Sequence, residues 1–449
     1  MKHLFSRLSP AQKIILSFLL VIFCGSLLLS LPWVQTASSQ AGYLDHLFTA
    51  VSMVCVTGLF TRSVVDTYNV WGQLLCMLLI QIGGLGILTF IGFFTMESRK
   101  KLSLKDRRIL RDSFSYGHNR TLGQFVRSIF ITTFTIEGLG ALLLMIRFIP
   151  KFGLRKGIFN SIFLAISAFC NAGFDNFGND SLLGLQTDVL VNITLALLII
   201  TGGLGFMVWF DLATKLGGKQ KGLHFHTKVV LLLTAGLLVI GTVASLWTEY
   251  NNPGTIGNLS FGDKLLVSFF QTVSMRTAGF ASIDYTAARP VTLFIYLLQM
   301  FLGGAPGGTA GGLKITTFLV LLLFARKEIL GLHHTNIGRR TLAPQLVQKA
   351  FGVTVIFQLT FLLGLLALGL VTDSSHRFIY LIFETVSALA TVGVTANITT
   401  SLNTAGMIVI MLLMFIGRVG PLTLMVSLNH YQPKKAATLH YSKADIMIG

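Results

Sequence analysis

Phe270-Gln-Thr-Val-Ser-Met-Arg-Thr-Ala-Gly-Phe280 is an apolar stretch too short to cross a bilayer, and it closes on a glycine among small residues. Such a segment describes a half-helix that enters a membrane, stops and returns as extended backbone. That geometry is tolerated at membrane depth only where the chain is buried in protein or lines a wet cavity. Gly279 has no Cβ and admits backbone angles closed to other residues, so consecutive carbonyl oxygens can turn toward one axis. A ring of such carbonyls can replace the water shell of a monovalent cation.

The stretch occurs four times. Phe48-Thr-Ala-Val-Ser52 precedes Val56-Thr57-Gly58, and Phe163-Leu-Ala-Ile-Ser167 precedes Asn171-Ala172-Gly173. Phe270-Gln-Thr-Val-Ser274 precedes Thr277-Ala278-Gly279, and Phe383-Glu-Thr-Val-Ser387 precedes Thr391-Val392-Gly393. The step from Phe to Gly is ten residues in three copies and nine in the third.

Hydrophobic residues make up 53% of the 449 and charged ones 12%, about half the charge of an ordinary soluble domain. The net charge of +18 comes from basic residues in short connections between apolar spans. That placement is the positive-inside bias of a membrane protein and argues against a nucleic-acid partner. Cys24, Cys55, Cys76 and Cys170 have neither metal-ligand spacing nor a disulfide pattern.

Working outward, each half-helix lies between two spans. The expected spans are 14–31 and 70–96 around the half-helix 43–55, and 125–149 and 189–212 around 157–169. Next come 229–247 and 291–324 around 261–275, and 346–371 and 405–428 around 376–389. The fold class is therefore all-α integral membrane: eight spanning helices and four re-entrant half-helices, as four linked repeats around one pseudo-fourfold pore. The units are 1–98, 99–214, 215–326 and 327–428, with a basic tail at 429–449. Basic connections after the first, second and third units place both termini in the cytoplasm; Arg147, Lys151, Arg155 and Lys156 lie on the expected outer side, against the rule. The 291–324 span is interrupted by Gly303-Gly304-Ala305-Pro306-Gly307-Gly308-Thr309-Ala310-Gly311-Gly312, where helix cannot persist. It sits where the first two units have Gly83-Gly84-Leu85-Gly86 and Gly202-Gly203-Leu204-Gly205, just under the glycine loops. Small residues there suit a gate that must absorb backbone rotation.

At these residues the sequence resembles the membrane subunits of the Trk/Ktr/HKT superfamily of potassium transporters. The four glycine loops, the 303–314 stretch and Gly417-Arg418-Val419-Gly420-Pro421 carry the resemblance, which covers nearly the whole chain. The chain starts directly with the first unit, as in the shorter bacterial Ktr-type subunit. The resemblance implies potassium uptake across the bacterial cell membrane through a selectivity filter at the four glycine loops, with K+ at their carbonyls. It implies sodium dependence or stimulation, with Na+ a candidate second ion, a homodimer in the lipid bilayer, and a cytosolic Ktr-type regulatory subunit forming a ring. A nucleotide, ATP/ADP or NAD/NADH, is expected on that partner only. Within this chain residues 307–314 imitate a phosphate loop but put Leu313 where its lysine belongs.

Arg418, mid-span, is a candidate pore charge under the filter, opposing cation dwell, or a structural arginine on backbone carbonyls. Lys314 ends the gate loop as an anchor to a carbonyl or to the ring, or as a snorkelling lysine. Glu137 is expected to pair with a neighbouring helix. Asp175 and Asp180 either concentrate cations at the outer entrance or sit in a solvated loop. His224, His226, His333 and His334 lack partners at metal-ligand spacing, and no transition-metal site is expected. No His-Glu-x-x-His, Gly-x-Ser-x-Gly or paired carboxylates point to a membrane enzyme. The alternatives are a sodium-selective or cation-symporting member of the same fold, and a structural subunit of a membrane complex.

Overall fold

The computed structural model describes residues 10–86, 122–178, 181–218, 220, 222–372 and 377–420. Its longer helices are α1 (Pro10–Leu29), α2 (Tyr43–Cys55), α3 (Val70–Leu85), α4 (Leu122–Phe152), α5 (Leu154–Phe169), α6 (Val189–Gly203) and α7 (Phe206–Leu216). They continue with α8 (Phe225–Glu249), α9 (Phe261–Ser274), α10 (Pro290–Phe301), α11 (Ile315–Ile329), α12 (Pro344–Val371), α13 (Phe378–Leu389) and α14 (Thr404–Val419). A two-stranded hairpin, Asn336–Ile337 with Arg340–Thr341, joins α11 to α12.

Among the described residues α1, α4, α8 and α12 are long and apolar enough to cross a membrane alone. They leave Leu20, Phe23, Leu142, Val239, Leu363 and similar side chains on the outside, as a lipid-facing helix must. The half-helices α2, α5, α9 and α13 have 13, 16, 14 and 12 residues, at most about 24 Å at 1.5 Å per residue, short of the roughly 30 Å hydrocarbon core. Their motif phenylalanines Phe48, Phe163, Phe270 and Phe383 have no exposed surface. Four helices start on a side-chain cap: Asn69 for α3, Asp188 for α6, Ser260 for α9 and Asn403 for α14. Asp188 also accepts from Arg147 Nε at 2.6 Å, which pairs one of the basic residues that ran against the charge rule.

Packing closes the units into a ring. The helix after each glycine loop lies on the half-helix of the next unit: α3 on α5, α6 on α9, α10 on α13, and α14 back on α2. Glycines permit the close approach within three of the units. Any Cβ on Gly83, Gly202 or Gly417 would overlap the carbonyl oxygen of Val54, Phe169 or Leu389 at the end of its own half-helix.

The expected single span 189–212 is corrected here. It breaks after Gly203 and turns by 98° into α7, with Gly205 at φ +89. The 291–324 span breaks at 303–312 as expected, and the two breaks satisfy each other. Ala305 N donates to Gly203 O (2.9 Å), Thr309 N to Gly202 O (3.1 Å) and Phe206 N to Gly307 O (3.0 Å). Backbone groups released from helix at this depth thus find partners in protein. Sequence periodicity could not show the break in α6, because the donors that make it tolerable come from a hundred residues away. The expected unit edges at 214 and 326 fall inside α7 and α11; those at 98 and 428, and the span ends at 96 and 428, lie outside the described residues.

Candidate functional site

Each half-helix ends in the same backbone figure. The residue two before the glycine takes a left-handed conformation, at φ +56 for Val56, +59 for Asn171, +69 for Thr277 and +52 for Thr391. Gly58, Gly173, Gly279 and Gly393 follow at φ +103, +68, +85 and +100. A left-handed residue with a side chain costs roughly 1–2 kcal/mol, more when β-branched, and such strain concentrates at functional sites. The glycines were legible in the sequence. The residues two before them were expected in the filter, but their left-handed backbone was not legible, because Val and Thr rarely adopt it and only Asn171 is of a type that visits it readily.

Hydrogen bonds from the end of each half-helix hold the figure. Thr57 N, Ala172 N and Val392 N each donate to the motif serine carbonyl of Ser52, Ser167 and Ser387 at 2.8 Å. In the third copy, one residue shorter, Ala278 N takes Ser274 O at 2.9 Å. Ser52 Oγ and Ser387 Oγ accept from Gly58 N and Gly393 N at 3.2 and 3.1 Å, whereas Ser274 Oγ donates to Phe280 O at 2.6 Å. The missing residue therefore changes what the serine does. Asn171 turns its amide nitrogen to Ala168 O and Ile199 O, 3.2 Å each.

The four loops meet in chain order. A Cβ on Gly58 would stand 2.7 Å from Ala172 O, and one on Gly173 would stand 2.7 Å from Ala278 O. On Gly279 it would press closer still on Val392 O, and on Gly393 on Thr57 O. Every glycine thus abuts the carbonyl that precedes the next unit's glycine, and the fourth abuts the first.

Residues 303–312 lie against this ring. Gly303 N donates to Leu313 O and Leu313 N to Phe301 O, closing the neck of the loop, at 3.0 and 3.1 Å. Gly311 N donates to Thr277 Oγ1 at 3.0 Å, so the loop is tied to a strained residue of the third glycine turn. Thr309 Oγ1 donates to Phe169 O at 3.1 Å. Lys314 Nζ donates to Ala310 O (2.6 Å) and Gly311 O (3.4 Å), which is the anchoring role among those expected of it. Arg418 donates to Thr309 O at 2.6 Å, to Gly84 O at 3.3 Å and to Gly83 O. Its guanidinium thus joins the first unit, the fourth unit and the loop, and it does so through backbone carbonyls. In the repeat Arg418 holds the place of Gly84, Gly203 and Gly304.

Glu137 accepts from Gln81 Nε2 at 3.0 and 3.3 Å, so it pairs with a neighbouring helix through an amide. Asp175 is no solvated loop residue: it is 8% exposed and accepts from Ser181 Oγ at 2.7 Å and Phe177 N at 3.0 Å. Burial pushes its carboxyl up to about 6, against the pull of those two donors. Asp180 lies outside the described residues. Arg276, inside the deciding stretch itself, was passed over in the sequence; it is 8% exposed.

Residues 7–438 match the TrkH family, described as Cation transport protein. The chain is 39% identical over 446 residues to Ktr system potassium uptake protein B of Bacillus subtilis (strain 168), covering 99% of this chain and 97% of that protein. It is 38% identical over 453 residues to the potassium/sodium uptake protein NtpJ of Enterococcus hirae, covering 100% and 99%. The crystal structure of the potassium transporter TrkH from Vibrio parahaemolyticus shares its fold at a TM-score of 0.73 and 17% identity, over 93% of this chain and 84% of that one.

Proposed function

The chain belongs to the TrkH family of cation transport proteins, and from that premise we propose that it is the ion-translocating subunit of a Ktr-type potassium uptake system. It is a multi-pass membrane protein and a transporter rather than an enzyme. The observation that carries the proposal is the ring of four loops, each with positive φ at the glycine and again two residues before it. Alternating the sign of φ over three residues turns successive carbonyls to one side, the arrangement that can stand in for a cation's hydration shell. The half-helices point their partially negative C-terminal ends at the same place.

In this reading Val56–Gly58, Asn171–Gly173, Thr277–Gly279 and Thr391–Gly393 form the selectivity filter, and 303–312 with Lys314 form the gate, held across the pore at rest. Arg418 both fastens the gate and sets a positive charge under the filter. The chain works as a homodimer in the bacterial cell membrane, with cytoplasmic termini and a nucleotide-regulated cytosolic ring that moves the gate. Sodium dependence, or sodium as a second permeant ion, is favoured by the potassium/sodium uptake protein of Enterococcus hirae, whose name covers both ions.

Purified protein in liposomes tests this by potassium flux with and without sodium. Potassium flux that sodium stimulates is expected. Sodium flux exceeding potassium flux would turn the reading to the sodium-selective alternative, and no flux of either ion, even with residues 305–311 removed, would leave only a structural subunit.

A further inference from the structure

The position just before the left-handed residue is Cys55, Cys170 and Ala390 in three of the loops, all small and without exposed surface. In the third loop it is Arg276. Its side chain belongs to a residue only 8% exposed, Nε is buried without a partner, and among the described residues the guanidinium takes part in no hydrogen bond or ion pair. Leaving such a donor unsatisfied in the interior is expensive. The exception sits in the one unit whose second span opens into the 303–312 loop.

Arg276 lines a small cavity with Asn171, Ile199, Ile200, Gly203, Val273 and Gly304. Two of these belong to the seam where the loop meets the broken α6. Gly202 O and Gly203 O are last-turn carbonyls of α6, without helical partners, and the loop supplies their donors through Thr309 N and Ala305 N. A loop that swings off the seam takes both donors with it and leaves the carbonyls bare at membrane depth.

We propose that Arg276 is a positioning residue, the reserve donor for this seam: when the loop withdraws, the guanidinium turns from the cavity onto the vacated α6 carbonyls and holds the displaced state. Arg418 acts in the opposite sense, because its bond to Thr309 O exists only with the loop in place. Two arginines, each in a position where the other units carry small residues, thus favour opposite states of one loop. The inference rests on reading the loop as the gate of a cation pore.

The test is rubidium tracer flux through the full chain in liposomes, with Arg276→Met and Arg276→Lys each made in the intact chain and in a chain lacking residues 305–311. Losing a charged donor that serves only the displaced state is expected to lower flux of the intact chain roughly tenfold. Arg276→Lys is expected to keep most of the flux, and Arg276→Met to change nothing once the loop is absent. Wild-type flux in the intact Arg276→Met chain overturns the proposal. So does an equal fall in the loop-deleted chain, which would assign the charge to the ion path itself. A loop-deleted parent that carries no rubidium would sink the underlying pore reading instead. Should Arg276→Met fail to insert, Arg276→Gln carries the same two comparisons.

Discussion

Gly393→Ser and Gly173→Ser make the sharpest pair of perturbations, because the ring is not equally tight all round. Gly173 has φ +68, within the left-handed region that side chains can visit, and its Cβ would need about 0.7 Å of retreat by Ala278 O to restore ordinary contact at 3.4 Å. Gly393 has φ +100, and its Cβ would drive further into Thr57 O; the next glycine's Cα would stand 2.9 Å away in both cases. A side chain at such a φ costs of order 1–3 kcal/mol, and the clash falls on backbone that forms the neighbouring loop. At about 1.4 kcal/mol per tenfold, the potassium-over-sodium preference is expected to fall roughly tenfold or more in Gly393→Ser and only severalfold in Gly173→Ser. The measurement is the ratio of potassium to sodium flux in liposomes, with elution volume and thermal midpoint confirming that both variants fold. A Gly173→Ser variant hit as hard as Gly393→Ser, or two folded variants with the parent's ratio, would refute the link between this geometry and selectivity.

Other outcomes follow from the same geometry. Removing residues 305–311 should raise potassium flux and weaken its dependence on the proposed cytosolic partner; wild-type flux in every regulatory state would reject the gate. Arg418→Met deprives Thr309, Gly83 and Gly84 of their donor, so resting flux should rise while the thermal midpoint falls; a lower midpoint with no added leak would leave Arg418 a purely structural brace. Ser387→Ala removes the acceptor of Gly393 N and should cost about 1 kcal/mol of stability, whereas Ser167 Oγ has no partner among the described residues and Ser167→Ala should stay within about 0.5 kcal/mol. Equal losses in the two would contradict the unequal roles of these serines.

The half-helices and the glycine ring were legible because the motif recurs four times, and recurrence filters out the accidental glycine. The gap at 303–312 was legible because proline and dense glycine forbid helix locally. What escaped notice depends on distant partners. Apolar periodicity runs on through Leu204, yet the helix stops there because Ala305 and Thr309 supply donors at Gly203 and Gly202. Arg418 drew attention as a charge among apolar residues, but its three carbonyl partners lie in the first and third units. Arg276 was overlooked for the opposite reason: it follows a half-helix, where a basic residue looks like ordinary end-capping, and its isolation becomes visible only with the surrounding atoms in place.

Arg418 occurs once in the ring, where the other three units have glycine. A channel assembled from four identical chains has no such freedom, since each codon is read into all four quadrants. Four guanidinium groups converging at that level would repel one another, at about 4 kcal/mol for each pair brought to 4 Å at an effective dielectric of 20. Joining the quadrants into one gene makes the dose of any residue one, and duplication followed by divergence can then give each quadrant its own task. The same property makes the molecule addressable in the laboratory. One isotope, spin label or crosslinker placed in a single quadrant reports on that quarter alone, without the fourfold averaging that blurs such signals in a symmetric tetramer.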